Sequence, residues 1–130
     1  MRRSFLVSLV LAVATTIGGC GPSEAEPSFV AIPVPFQAPP AGGVTACMDA
    51  LASGTLVADA RWGVALGSSD GPTIQVVWPA GFGARLVDDR IELLDERGVV
   101  VGRVGDVVTI AGGMGAGNAW FACGGPSRTP

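Results

Sequence analysis

From Thr55 onward the chain alternates short apolar runs with clusters of turn-forming residues. Leu56-Val57-Ala58 opens one strand, and Trp62-Gly63-Val64-Ala65-Leu66 continues it or pairs with it. Ser68-Ser69-Asp70-Gly71-Pro72 is a turn cluster. Thr73-Ile74-Gln75-Val76-Val77-Trp78 then alternates with a period of two, which puts Ile74, Val76 and Trp78 on one face, and Pro79-Ala80-Gly81-Phe82-Gly83 ends it. Val108 and Ile110 are expected to face the same core. Ile91-Glu92-Leu93-Leu94 leads into Asp95-Glu96-Arg97-Gly98, a type I turn signature with Gly at the left-handed position, and out through Val99-Val100-Val101. Gly105-Asp106 reads as a two-residue hairpin loop between residues 99–104 and 107–111. Residues 112–117 form a loop, and residues 118–123 the last strand. Residues 46–53, stopped by Gly54, read as one short helix. Five or six short antiparallel strands in under 90 residues predict an all-β fold, a small closed barrel rather than a sandwich.

Upstream the pattern changes. Pro22, Pro27, Pro33, Pro35, Pro39 and Pro40 remove backbone donors from residues 21–43 and favour polyproline II geometry. That stretch reads as a spacer without regular structure, able to span up to about 70 Å. Before it, Met1-Arg2-Arg3 precedes an almost unbroken apolar run from Phe5 to Ile17, closed by Gly18-Gly19-Cys20. The run is shorter than the roughly 20 residues a membrane-spanning helix needs, although an uncleaved anchor is the competing reading.

This order resembles a bacterial lipoprotein signal peptide ending in a lipobox, Ile17-Gly18-Gly19-Cys20. The resemblance implies residues 1–19 as signal peptide, Cys20 as the lipidated residue, residues 20–43 as acylated cysteine and linker, and residues 44–130 as the barrel domain. It places the protein on the extracytoplasmic side of the cell membrane, held there by acyl chains. Arg2-Arg3-Ser4-Phe5-Leu6 also resembles a twin-arginine export signal, but two arginines equally serve an ordinary secretory signal, which the strongly apolar run favours.

Composition narrows the partners. Beyond Cys20 there are six Arg and no Lys, Tyr or His against all eleven carboxylates, a formal charge near −5. Nucleic acid needs clustered basic residues and is not an expected partner. The same balance argues against electrostatic adhesion to anionic lipid, leaving the acyl chains to hold the protein. Of three Cys, Cys20 is assigned to lipid, so Cys47 and Cys123 are the expected disulfide of an oxidising compartment. A two-thiolate metal site is the alternative; with no His and no second close Cys, neither a metal nor a cofactor is expected.

The run of Gly54-Thr55-Leu56-Val57, residues 77–81, 95–101, 104–107 and Ala111-Gly112-Gly113 before a late cysteine resembles small secreted bacterial domains of an OB-like kind. That likeness implies a fold and a compartment and brings no functional residues with it.

Candidate chemistry is sparse. Residues 112–117 invite a phosphate-loop reading, but that loop opens a helix and carries a Lys; here a strand follows and no Lys exists. Asp88, Asp89, Glu92, Asp95 and Glu96 could form a Ca²⁺ site or an acid/base pair. Arg85, Arg90 and Arg97 lie among them, so a solvated turn face is the better reading, and Asp95→Ala is expected to do little beyond loosening a turn. Trp62, Trp78 and Trp120 are either core residues or a ligand face of an OB-like barrel. Without His, no Ser–His or Cys–His nucleophile is available. The functional expectation is a non-catalytic binding or structural module whose partner is an envelope protein or a small ligand. The alternative is a small carboxylate-dependent hydrolase.

Overall fold

The structure, a computed structural model, describes Gly21, residues 29–38 and residues 47–130. The expected signal peptide of residues 1–19 and the expected lipidation site Cys20 lie outside the described residues. Among the described residues ten strands carry the fold: β1 (Val30–Ile32), β2 (Ala50–Asp59), β3 (Gly63–Gly67), β4 (Val76–Val77), β5 (Gly83–Val87), β6 (Arg90–Leu94), β7 (Val100–Arg103), β8 (Val107–Met114), β9 (Trp120–Ala122) and β10 (Ser127–Arg128), with one 3₁₀ turn at Ala116–Asn118.

Strands β1-β5-β6-β7 form one antiparallel sheet, and β3-β2-β8-β9-β4 the other, with β10 alongside β8. The second sheet curls back on itself. Leu66 and Ile74 exchange amide-to-carbonyl bonds of 3.0 and 2.8 Å, which brings the β4 side against β3. All neighbours are antiparallel except β4 and β9, which pair in parallel from Val76 opposite Trp120. The fold is therefore a small, nearly closed all-β barrel, as the strand spacing anticipates.

The core follows the period-two pattern. Val76, Trp78, Val108 and Ile110 are fully buried together with Leu56, Val64, Leu66 and Leu93, and Ile74 packs against them half-buried. The Trp78 indole N–H donates to the Val64 carbonyl at 3.3 Å. Its ring stacks parallel to Phe82 with centroids 6.3 Å apart. The cluster joins Ala84 and Leu93 of the first sheet to Leu56, Val64, Leu66, Val76, Val108 and Ile110 of the second, so this short chain assembles one core.

Three expectations are corrected. The alanine-containing stretch before Gly54 is not helical: from Ala50 it is β2, in register with β8 from Ala50 opposite Gly112 to Thr55 opposite Val107. Helix propensity yields because β8 pairs with residues 50–55, and the same strand runs on to pair residues 55–59 with β3. Gly54 is needed here for a different reason, since a Cβ there would collide with the Gly67 carbonyl oxygen of β3. The second correction concerns Gly105-Asp106, which does not join a hairpin. The Asp106 amide donates to Arg103 O at 3.0 Å around Val104-Gly105, with Gly105 at φ 99°. A positive φ at the second central position is that of a type II turn, which swings the chain out of one sheet and into the other instead of folding β8 back on β7.

The third correction moves the domain boundary. Residues 29–38, assigned above to the spacer, are a strap built into the barrel. Val30, Ala31 and Ile32 pair with Leu86, Arg85 and Ala84 of β5. Further on, Trp78 N donates to Pro35 O at 2.9 Å and Gln37 N to Trp78 O at 2.8 Å, and the Gln37 side-chain amide reaches the Ala122 carbonyl at 2.7 Å. Val34, between two prolines, is buried in the core cluster. The prolines do not prevent this: Pro35 lends its carbonyl to Trp78, and the strap's donor to Trp78 comes from Gln37, beyond the prolines.

Candidate functional site

Cys47 and Cys123 are bonded, with Cα atoms 5.5 Å apart across 76 residues of sequence. The bond fastens the chain just before β2 to the residue following β9, where Cys123 N also donates to Ala111 O at 2.9 Å. It closes a loop that includes strands of both sheets, so it braces the whole barrel.

The three tryptophans do not share a face. Trp78 is fully buried and Trp120 is 6% exposed, both inside the barrel; the Trp120 indole nitrogen finds no hydrogen-bond partner. Trp62 alone is at the surface, half-buried in the turn between β2 and β3, with the Arg61 guanidinium 4.1 Å from its ring centroid. The Asp59 carboxylate accepts from the Arg61 and Trp62 amides at 2.8 and 3.2 Å and holds that turn. The aromatic ligand face anticipated at Trp62, Trp78 and Trp120 therefore resolves into two core residues and one isolated ring, because alternate strand positions turn Trp78 and Trp120 inward.

The carboxylate cluster is likewise divided by the fold. Asp88 and Asp89 sit exposed at the tip of the β5–β6 hairpin, with φ of 47° and 60°. Two left-handed residues make a type I′ connection, normally Asn-Gly, and short acidic side chains tolerate that region. Asp95 is the buried charged group. Its Oδ1 accepts from the Arg97 and Val99 amides, both at 2.9 Å, and its Oδ2 takes the Arg97 guanidinium at 2.9 Å. The Val99 amide, followed by the Arg97 guanidinium and amide, holds the carboxyl below its ordinary value, against the opposing effect of burial. Asp95 is thus the clamp of the β6–β7 connection, more than the loose turn residue expected of it.

Glu92 lies in a cross-strand row with Ala31, Arg85 and Arg103, each opposite the next in register. Arg85 Nη2 is 2.9 Å from Glu92 Oε2, and Arg103 Nε 3.2 Å from Oε1, so both carboxylate oxygens are engaged. Beside this row Val87, Asp88 and Arg90 complete an open depression of about 460 Å³. The Phe29 ring stands with its centroid 5.8 Å from the Arg85 guanidinium. A second depression, about 550 Å³, lies beside Cys123 over Pro79, Phe82, Asp95, Arg97 and Val101. Residues 112–114 belong to β8, and the glycine stretch continues into the 3₁₀ turn and then β9, with no helix for a phosphate to cap.

Of these surfaces, the outer face of β1-β5-β6-β7 gathers the most chemistry: three guanidiniums, Glu92, the hairpin aspartates and an exposed aromatic. The period of two could have placed Glu92 and Arg90 on one face of β6. Nothing local told that Arg85 and Arg103 would flank them. Among the described residues no group of three or more His, Cys, Asp or Glu is placed to hold a metal ion. The chain matches no protein-family model, no curated protein and no solved structure.

Proposed function

We propose that this chain is a lipid-anchored protein of the extracytoplasmic envelope, whose barrel acts as a binding or structural module. The Cys47–Cys123 bond carries this reading. It accounts for two of the three cysteines, so the remaining one is Cys20, directly after Ile17-Gly18-Gly19. A disulfide that braces a small domain belongs to an oxidising compartment, and a lipobox cysteine delivers a chain to such a compartment. The two features support each other from independent residues.

A ligand-recognising role draws support from the guanidinium-rich outer face, where Arg85, Arg90 and Arg103 present donors suited to carboxylate or phosphate oxygens. The carboxylate-hydrolase reading has no specific observation in its favour, since Glu92 spends both oxygens on arginines and Asp95 spends its own on a turn.

Mass spectrometry of detergent-extracted protein tests the reading. A lipidated N-terminal peptide beginning at Cys20 is expected, and Cys20→Ala is expected to release the protein from the membrane. An unmodified Cys20 in membrane-bound protein overturns the assignment.

A further inference from the structure

The strap changes how far the barrel can stand from a lipid anchor. Phe29 lies nine residues beyond Cys20. A fully extended chain covers at most 3.3–3.6 Å per residue, so those residues reach about 30 Å, less than half the span of a spacer running to residue 43. This inference rests on the lipid-anchored reading: if Cys20 carries lipid, β1 is the part of the barrel held closest to the bilayer.

What β1 offers there is apolar. Phe29 is 59% exposed and Val30 63%. They are consecutive, so they project to opposite sides of an edge strand whose outer edge has no neighbour in the sheet among the described residues. The Arg85 guanidinium lies 5.8 Å from the Phe29 ring, and Arg90 and Arg103 stand on the same outer face. Glu92, Asp88 and Asp89 balance these three arginines, so the face is locally neutral while still presenting guanidinium donors. Other exposed apolar side chains lie farther along the chain from Cys20: Phe36 later in the strap, Val99 in the β6–β7 connection, and Leu51, Val107 and Met114 on the second sheet.

We propose that the β1 edge and the adjoining face of the β5–β6 hairpin seat in the phospholipid headgroup layer. Phe29 and Val30 enter the interface, and the arginines lay their stems along it with their donors on lipid phosphates. The contact area is small, and it would not hold a free protein. A short tether raises the effective concentration of the surface to the millimolar range, where a weak contact is occupied. Because the patch is neutral, partition of the apolar side chains drives the docking, and anionic lipid adds little.

The test uses the lipidated full-length mature protein in vesicles of phosphatidylcholine with brominated acyl chains. Phe29→Trp and Leu51→Trp each add one surface indole to the parent. Bromine is expected to quench the indole added at position 29 and leave that at position 51 bright, and the result is expected to hold when phosphatidylglycerol is included. Adding Val30→Glu to the Phe29→Trp protein is expected to lower the docked fraction roughly tenfold. Equal quenching at both positions, no quenching at position 29, or quenching that requires phosphatidylglycerol overturns the docking. In each of those cases a lipidated Cys20 peptide in the same sample leaves the anchor standing. An unlipidated Cys20 overturns the anchor, and the docking with it.

Discussion

Trp78→Ala removes the largest fully buried side chain of the barrel. The ring fills the space between the two sheets, stacks on Phe82 and donates its N–H to Val64 O. Truncating a buried Trp or Phe to Ala costs about 3–5 kcal/mol, to which the orphaned Val64 carbonyl adds about 1 kcal/mol. A domain of this size has about 5–15 kcal/mol in total. The oxidised variant is therefore expected to fold but to melt roughly 15–30 °C below the parent. Reduction removes a cross-link across 76 residues, worth about 4.5 kcal/mol of unfolded-state entropy. The two losses together approach the whole stability of the domain. Calorimetry with and without reductant should then show a cooperative transition for reduced parent and for oxidised Trp78→Ala, and none for reduced Trp78→Ala. A reduced variant that melts cooperatively within a few degrees of the reduced parent would refute the ring's contribution, and a reduced parent that melts with the oxidised one would refute the cross-link's.

Two further outcomes follow from the corrected parts of the fold. Asp95 has a lowered pKa when folded, so its stabilisation is complete above the ordinary carboxylate value and is lost as pH falls through the lower folded value. Acid should reduce the parent's melting temperature over that window, and Asp95→Asn should flatten the dependence while lowering the plateau; an unchanged acid limb refutes the clamp. At Gly63, φ is 68° and a Cβ would strike the Pro33 carbonyl oxygen of the strap. Gly63→Ala should lift residues 29–38, seen as faster hydrogen exchange at the Trp78 and Gln37 amides and as new proteolytic cuts in the strap, while unchanged exchange would mean that the strap is not seated against β3.

Alternation and turn chemistry are local, and what depends on them was legible in the chain. Ile74, Val76 and Trp78 face inward with Val108 and Ile110 because a strand has a period of two. The turn from Asp95 to Gly98 closes as read, with Gly98 at φ 76° and its amide on Asp95 O at 2.9 Å. The Cys47–Cys123 pair followed from counting. The all-β class and the small barrel needed little more than the number and spacing of the runs. Tertiary structure alone decided the rest. Residues 50–53 became strand because β8 offered them partners from Gly112 to Thr109, a non-local satisfaction that overrides propensity. The β5–β6 hairpin turned on Asp88-Asp89, whose side chains give a weaker turn signal than Asn-Gly. Residues 29–38 look like a spacer because six prolines lie between 22 and 40, yet backbone bonds to β5 and Trp78 and the burial of Val34 draw them into the barrel. The net charge beyond Cys20 says nothing about where arginines gather. Register across β5, β6 and β7, set by pairing between strands rather than by local sequence, put Arg85, Glu92 and Arg103 in one row beside β1.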